Sequence, residues 1–311
     1  MSVYTTISRD ELVAFLEQYS VGELISYEGI QAGIENTNYF VTTSKGDFVL
    51  TIFEHLVRDE LPYFLGIMAF LAEHEVPSAH PIADNNGETL QQLHGKPSAL
   101  VQRLRGCGID HPNTMHCAEL GQALGRMHTM AHNFAGYREN PRSIGWCRES
   151  IESLAEKLSP EEQLFLEEEL QFQSGSRRSD LPQGVIHADL FRDNALFIDE
   201  HLTGIIDFYY ACNDALLYDI AITINDWCTE ADGRIDMGRY NSFLNHYRKQ
   251  RPLNPEEREQ WPAMLRAAAL RFWLSRLLDM HFPRPGEMTH IKDPEVFRRI
   301  LGWHRENQLP I

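Results

Sequence analysis

Val185-Ile-His187-Ala-Asp189-Leu-Phe-Arg192-Asp193-Asn194, followed by Gly204-Ile-Ile-Asp207-Phe208, is the stretch on which the reading of this chain turns. Asp189 precedes Asn194 by five residues and Asp207 by eighteen. Val185-Ile reads as the end of a short strand, and Thr203-Gly-Ile-Ile as a second strand paired with it, with a polar loop between them. Taken singly these residues say little. Asp and Asn are common turn formers, and a lone His187 is more often a satisfied core histidine than a working group. What carries weight is two hard oxygen side chains on one loop and a third closing the next strand.

The surroundings predict an α+β protein. Ser8 and Glu11 are spaced as a capping box ahead of Leu12, Phe15 and Leu16 at helical period. Asn38-Tyr-Phe-Val-Thr-Thr and Asp47-Phe-Val-Leu-Thr-Ile-Phe flank the turn-like Ser44-Lys-Gly-Asp, a hairpin pattern. Glu60 to His74 reads as a helix, and two further strands are predicted near residues 88–93 and 99–104. Beyond Arg105-Gly106 long helices take over: Leu120, Leu124, Met127 and Ala131 recur at three and four residues, as do Ile151, Leu154 and Leu158. Gln171 to Gly184 reads as a polar loop, and Trp261 to Met280 as a broad apolar helix bearing Arg266, Arg271 and Arg276. The expectation is an antiparallel-sheet lobe over residues 1–104, a mainly helical lobe over 105–311, and a cleft between them.

Length and composition agree with two lobes and remove several functions. The chain has 311 residues, with 28 Lys and Arg against 45 Asp and Glu, a formal charge of −17. Such a surface repels polyanions, so neither nucleic acid nor an anionic membrane is an expected partner. The five cysteines, at 107, 117, 147, 212 and 228, are odd in number and contain no Cys-x-x-Cys pair, against a disulfide framework or clustered zinc. The first residues show neither a basic nor an apolar signal region. Leu61 to Ala72 is about half a membrane span. A cytoplasmic protein is expected; oligomeric state is not legible.

His-x-Asp-x4-Asn after a short strand resembles the catalytic loop of protein-kinase-like phosphotransferases. The resemblance extends over nearly the whole chain to bacterial homoserine kinases with the aminoglycoside-phosphotransferase, protein-kinase-like fold. It includes Gly33-Ile-Glu-Asn-Thr-Asn-Tyr-Phe-Val, Phe48-Val-Leu-Thr-Ile-Phe-Glu, Val185 to Asn194, Ile206-Asp-Phe-Tyr-Tyr-Ala-Cys-Asn-Asp-Ala-Leu-Leu-Tyr-Asp-Ile-Ala and Ala267-Ala-Ala-Leu-Arg-Phe-Trp-Leu-Ser-Arg-Leu. Asp-x4-Asn and Asp-Phe are common to the superfamily, whereas the run from Ile206 is more particular to this branch. The resemblance implies ATP- and Mg²⁺-dependent phosphorylation of L-homoserine. Asp189 would be the base, Asn194 and Asp207 the metal ligands, with Asp219 bracing the loop beside His187. Gly29 to Asn38, with Gly33, Asn36, Thr37 and Asn38, would cover the phosphates, and Gln102 to Leu104 would offer backbone groups to adenine. Phosphoryl transfer needs an aligned hydroxyl, a carboxylate to take its proton and a cation to offset phosphate charge, so these residue types fit the chemistry.

One position departs from the pattern. Where such kinases carry Lys or Arg on the third strand, this chain has Thr51, which also deprives Glu60 of its usual partner. Lys45, Arg58 or Arg192 could supply the missing cation, with Arg192 the first candidate because it lies in the catalytic loop. For an acceptor carrying a carboxylate and an ammonium, Arg271 and Arg276 are candidates for the former, Asp214 and Asp226 for the latter. His128 and His132 stand four apart on a helix, but the pattern reads as a solvated face rather than a metal site. Tyr209, Tyr210 and Trp227 read as core packing. A kinase for another small hydroxyl compound (an amino alcohol, a thiosugar or an aminoglycoside) and a nucleotide-binding pseudokinase are the rival readings.

Overall fold

The structure, a computed structural model, describes residues 4–31, 35–175, 180–283 and 292–311. The chain divides into two compact units, Met1–Arg105 and Gly106–Ile311.

In the first unit, helix α1 (Arg9–Leu16) starts at a reciprocal capping box between Ser8 and Glu11. Five strands follow: β1 (Leu24–Gly29), β2 (Asn36–Thr43), β3 (Gly46–Phe53) and, after α2 (Leu61–Glu73), β4 (Gln91–Leu93) and β5 (Lys96–Gln102). They form one antiparallel sheet in the order β1-β2-β3-β5-β4. Strand alternation gives the sheet two different faces. Tyr39, Val41, Phe48, Leu50, Ile52 and Leu100 pack with Leu12, Phe15 and Leu16 of α1 in a buried cluster. The opposite face carries a row in register, Asn38–Thr51–Ala99. Strand β1 is an addition to the sequence reading. Its sequence, Leu-Ile-Ser-Tyr-Glu-Gly, lacks apolar alternation because this edge strand is only partly covered.

The second unit is mainly helical: α3 (Thr114–Ala131), α4 (Ile144–Leu154), α5 (Pro160–Gln173), α6 (Leu216–Trp227), α7 (Met237–Gln250), α8 (Pro255–His281) and α9 (Glu295–Glu306). Between α5 and α6 lie β6 (Gln183–Ile186), β7 (Ala195–Ile198), β8 (His201–Ile205) and β9 (Cys212–Ala215). The predicted pairing of the Val185 and Gly204 segments is corrected here. β6 pairs with β9, and β8 with β7, both antiparallel. The two strand pairs instead meet through a side chain, His187 Nε2 donating to the Ile206 carbonyl at 2.9 Å.

Two features fix the frame around the loop. Helix α6 is buried on nearly every face, from Leu216 through Asn225. Its polar residues are therefore committed to protein partners: Thr223 Oγ1 donates to the Asp219 carbonyl, and Asn225 Nδ2 to that of Leu265. Helices α3 and α7 approach closely at Gly121 and Gly125, where an added Cβ would stand 2.3 Å from the Phe243 carbonyl oxygen and 2.8 Å from that of Tyr247.

Candidate active site

Strand β6 ends at Ile186, and the first turn of the following loop is fixed by one buried carboxylate. Asp219, fully buried on α6, accepts the His187 amide on Oδ2 at 2.7 Å and the Ala188 amide on Oδ1 at 2.8 Å. Ala188 is thereby held in the left-handed region at φ +64°, a conformation that costs a residue with a Cβ about 1–2 kcal/mol. The next residue is Asp189. Its amide donates to His187 Nδ1 at 3.2 Å, so the imidazole, a donor to Ile206 at Nε2, is the neutral Nε2–H tautomer. Burial also pushes the His187 pKa down, in agreement with a neutral ring.

Asn194 closes the loop. Its Nδ2 donates both to the Asp189 carbonyl at 2.8 Å and to Asp189 Oδ2 at 3.0 Å, which turns the amide oxygen the other way. The Ile206 amide donates to the Asn194 carbonyl at 3.0 Å, so Asp207 follows directly, itself left-handed at φ +63°. Arg271 of α8, buried, sets Nη1 3.8 Å from Asp189 Oδ1, with its guanidinium over Phe272 and Tyr210. Burial pushes the Asp189 pKa up to about 8; the Arg271 charge opposes this and the Asp207 charge reinforces it. Asp189, Asn194, Asp207 and Arg271 are thus one cluster.

The other charged candidates are engaged elsewhere. Arg192 donates from Nε and its backbone amide to Asp226 Oδ2, from Nη2 to Asp226 Oδ1, and from Nη1 to the Asp110 carbonyl. Arg192 and Asp226 therefore satisfy each other. Arg276 donates to the Asp293 carbonyl and lies over Phe297. Asp214, on β9, accepts from Asn140 Nδ2 at 2.5 Å. Trp227 is core, donating Nε1 to the Leu190 carbonyl.

In the first unit Gly33 lies outside the described residues. Gly29 ends β1, and Asn36, Thr37 and Asn38 belong to β2, so four residues of the loop expected over 29–38 lie in strands. Their side chains alternate. Asn38 Oδ1 accepts from Thr51 Oγ1 at 2.8 Å, while Thr37 faces the other way, its hydroxyl accepting the Tyr4 and Thr5 amides and donating to Glu54. Asn36 Oδ1 accepts the Glu54 amide at 3.4 Å. Lys96 pairs with Glu54 on Thr37's side of the sheet and is not a substitute for a lysine at position 51. Lys45, on the β2–β3 turn, donates to the Ser20 carbonyl. The Gln102 amide is held by the His80 carbonyl, and Leu104 follows Arg103, whose amide donates to the Asp47 carbonyl.

The sequence reading missed one group and misplaced another. Lys292 reaches the loop, its Nζ 2.9 Å from Asp193 Oδ2, and nothing local in the sequence marks it. His128 is a correction: it is buried rather than solvated, and its Nε2 lies 3.0 Å from Asp219 Oδ2. A signal was present, since His128 is four residues past Leu124 and adjoins Met127, on the core stripe of α3. Among the described residues no group of three or more His, Cys, Asp or Glu gathers to hold a metal, which excludes a self-contained site of those ligands there. Mg²⁺ needs less, because it keeps waters and takes substrate phosphates beside one or two protein oxygens. The outward amide oxygen of Asn194 and the carboxylate of Asp207 fit that requirement. No helix among the described residues is long and apolar enough to cross a membrane.

Comparison with known proteins places this geometry. A homoserine kinase of Methylobacillus flagellatus is 49% identical over 301 residues, covering 97% of this chain and 94% of that protein. One from Janthinobacterium sp. (strain Marseille) is 43% identical over 315 residues, covering 100% and 98%. Among solved structures, the amicoumacin kinase hAmiN in complex with AMP-PNP, Ca²⁺ and Ami matches with a TM-score of 0.71 at 15% identity, covering 96% and 93% of the two chains. The microcompartment-associated aminopropanol kinase matches at 0.62 with 16% identity, covering 96% and 94%. At these identities the two structures share the fold, an α+β arrangement of antiparallel sheet and helical units. The model of the phosphotransferase enzyme family matches residues 26–253, and the chain belongs to that family.

Proposed function

We propose that the protein transfers the γ-phosphoryl group of ATP to the hydroxyl of L-homoserine, giving O-phospho-L-homoserine and ADP. The observation that carries this reading is the pairing of Asp189 with the buried cation of Arg271, 3.8 Å apart. Homoserine has a hydroxyl at one end and a carboxylate at the other, and its short chain can span a base and a neighbouring cation. Relatives between 41% and 49% identical along nearly the whole chain carry the name homoserine kinase, which supports the same acceptor.

In this mechanism Asp189 takes the hydroxyl proton as the acceptor oxygen forms its bond to the γ-phosphorus and the bond to the β-phosphate oxygen breaks. Asn194 fixes the rotamer of Asp189 through Nδ2, and Arg271 takes the acceptor carboxylate. Asp214 stays the candidate for the ammonium, because a carboxylate that accepts from Asn140 still has lone pairs with which to accept another donor. Asn194 and Asp207 would hold Mg²⁺, whose charge would offset that of the phosphates and favour the ionised form of Asp189. Gly33, Asn36 and Asn38 would meet the phosphates, and backbone groups from Gln102 to Leu104 the adenine. Thr37 and Arg192 act as ties in this account, because their polar groups already serve Glu54 and Asp226.

A panel of acceptors with coupled ADP detection tests the reading. L-Homoserine should exceed ethanolamine, a thiosugar and an aminoglycoside by about 100-fold or more in kcat/KM, since only it satisfies both charged groups. A better acceptor elsewhere on the panel refutes homoserine. ATP binding without turnover on any acceptor would support a pseudokinase, the reading that the uncharged Thr51 leaves open and the set of Asp189, Asn194 and Asp207 opposes.

A further inference from the structure

Behind Asp219 lies a buried chain of polar groups that the phosphoryl-transfer chemistry does not itself require. His128 Nε2 donates to Asp219 Oδ2 at 3.0 Å, so its Nδ1 is the acceptor for the Tyr247 hydroxyl at 2.7 Å. The Tyr247 oxygen in turn accepts Arg251 Nε at 2.5 Å, and Arg251 forms a two-pronged pair with Glu257, which is fully buried. Glu257 is itself fixed, accepting the Asn254 amide at 3.0 Å in the capping box that opens α8. His128, Tyr247 and Asp219 are all buried.

The direction of these bonds matters more than their number. Every donor from Arg251 to Asp219 points the same way, cation to hydroxyl to imidazole to carboxylate, so each bond polarises the next. The end of the chain is the carboxylate that holds the His187 and Ala188 amides, and hence the left-handed turn that aims Asp189. Ala188 has no glycine freedom, so this turn persists only while Asp219 is charged and correctly rotated. The relay reaches Asp219 because α3 and α7 lie close enough, through Gly121 and Gly125, for His128 to meet Tyr247.

We infer that His128 and Tyr247, anchored by the Arg251–Glu257 pair, are positioning residues that set the geometry of the catalytic loop through Asp219. The inference rests on the phosphotransferase reading for its kinetic effect, but not for its structural one. It links the α7–α8 connection to a base that none of its residues touches.

The test compares His128→Leu, His128→Gln and Tyr247→Phe in the full chain, with Leu154→Ala as a core-destabilising control away from the relay. Two readouts are taken: kcat and KM for ATP and acceptor, and hydrogen exchange of the peptide covering residues 185–190. Losing the relay should lower kcat by about 10- to 100-fold in His128→Leu, with both KM values changed less than about threefold. His128→Gln, whose amide can still donate to Asp219, should recover most of that loss. Exchange at the His187 and Ala188 amides should rise about tenfold in His128→Leu and in Tyr247→Phe, and not in Leu154→Ala. Unchanged exchange and kcat in a folded His128→Leu enzyme overturn the inference. If that variant does not fold, Tyr247→Phe decides by the same exchange measurement. Should L-homoserine prove not to be the acceptor, that refutes the acceptor reading alone. The exchange result stands independently of it.

Discussion

Ala188 occupies a left-handed backbone conformation where glycine would be the unstrained choice. The strain is supported by two amide bonds to Asp219, so its removal and its aggravation should differ in effect. Ala188→Gly should change stability by less than about 1 kcal/mol, because relief of strain offsets the added freedom of the unfolded chain. Ala188→Val, β-branched at the same φ, should cost about 2 kcal/mol or more. Urea unfolding of the two variants checks this; equal stability would mean that the turn carries no strain. The residues of the loop were legible because Asp189, Asn194 and Asp207 are close in sequence. Arg192 illustrates the limit. Its place beside Asp189 suggested a phosphate partner, but its engagement with Asp226 depends on α6, more than thirty residues away.

Elements were legible where the pattern is local. The Ser8–Glu11 box, the β2–β3 hairpin and the apolar stripe of α3 all follow from spacing within one segment. Pairing was not, since β6 finds β9 rather than β8 through contacts that no local periodicity encodes. Nor did helical period announce the α3–α7 approach, although Gly121 and Gly125 mark it once the helices are known to touch. Gly121→Ala should destabilise the protein by about 1–3 kcal/mol, since a methyl group 2.3 Å from the Phe243 carbonyl forces backbone apart. Its effect on kcat should resemble that of a weakened relay, as His128 and Tyr247 separate with their helices. A Gly121→Ala protein with unaltered melting temperature would show that the interface is looser than these distances require.

At the scale of the whole molecule, the charge of −17 and the buried histidines act in opposite directions as pH falls. Protonating surface carboxylates relieves repulsion and favours the compact state. His304 works against it. Burial, reinforced by the charge of Arg266, pushes its pKa down to about 3, its Nε2 donates to Asn225, and its buried Nδ1 has no hydrogen-bond partner among the described residues. The unfolded chain therefore takes up a proton near the ordinary imidazole pKa of about 6.5 that the folded one refuses until about 3. The stability from this group is complete above that upper value and is lost as pH drops through the window. His128 and His187, also shifted down by burial, add in the same direction. The fall in urea midpoint between pH 7.5 and pH 5 should accordingly be smaller in His304→Gln, and an identical fall would remove His304 from the account. The same acidic surface that discourages polyanions is compatible with a nucleotide carried as its metal complex. The central claim is then tested by ³¹P NMR of ATP, Mg²⁺ and L-homoserine with the parent enzyme and with Asp189→Asn. A phosphate-monoester signal of O-phospho-L-homoserine should grow with the parent and about a thousandfold more slowly with the variant. Formation at equal rates, or no such product from the parent, would contradict it.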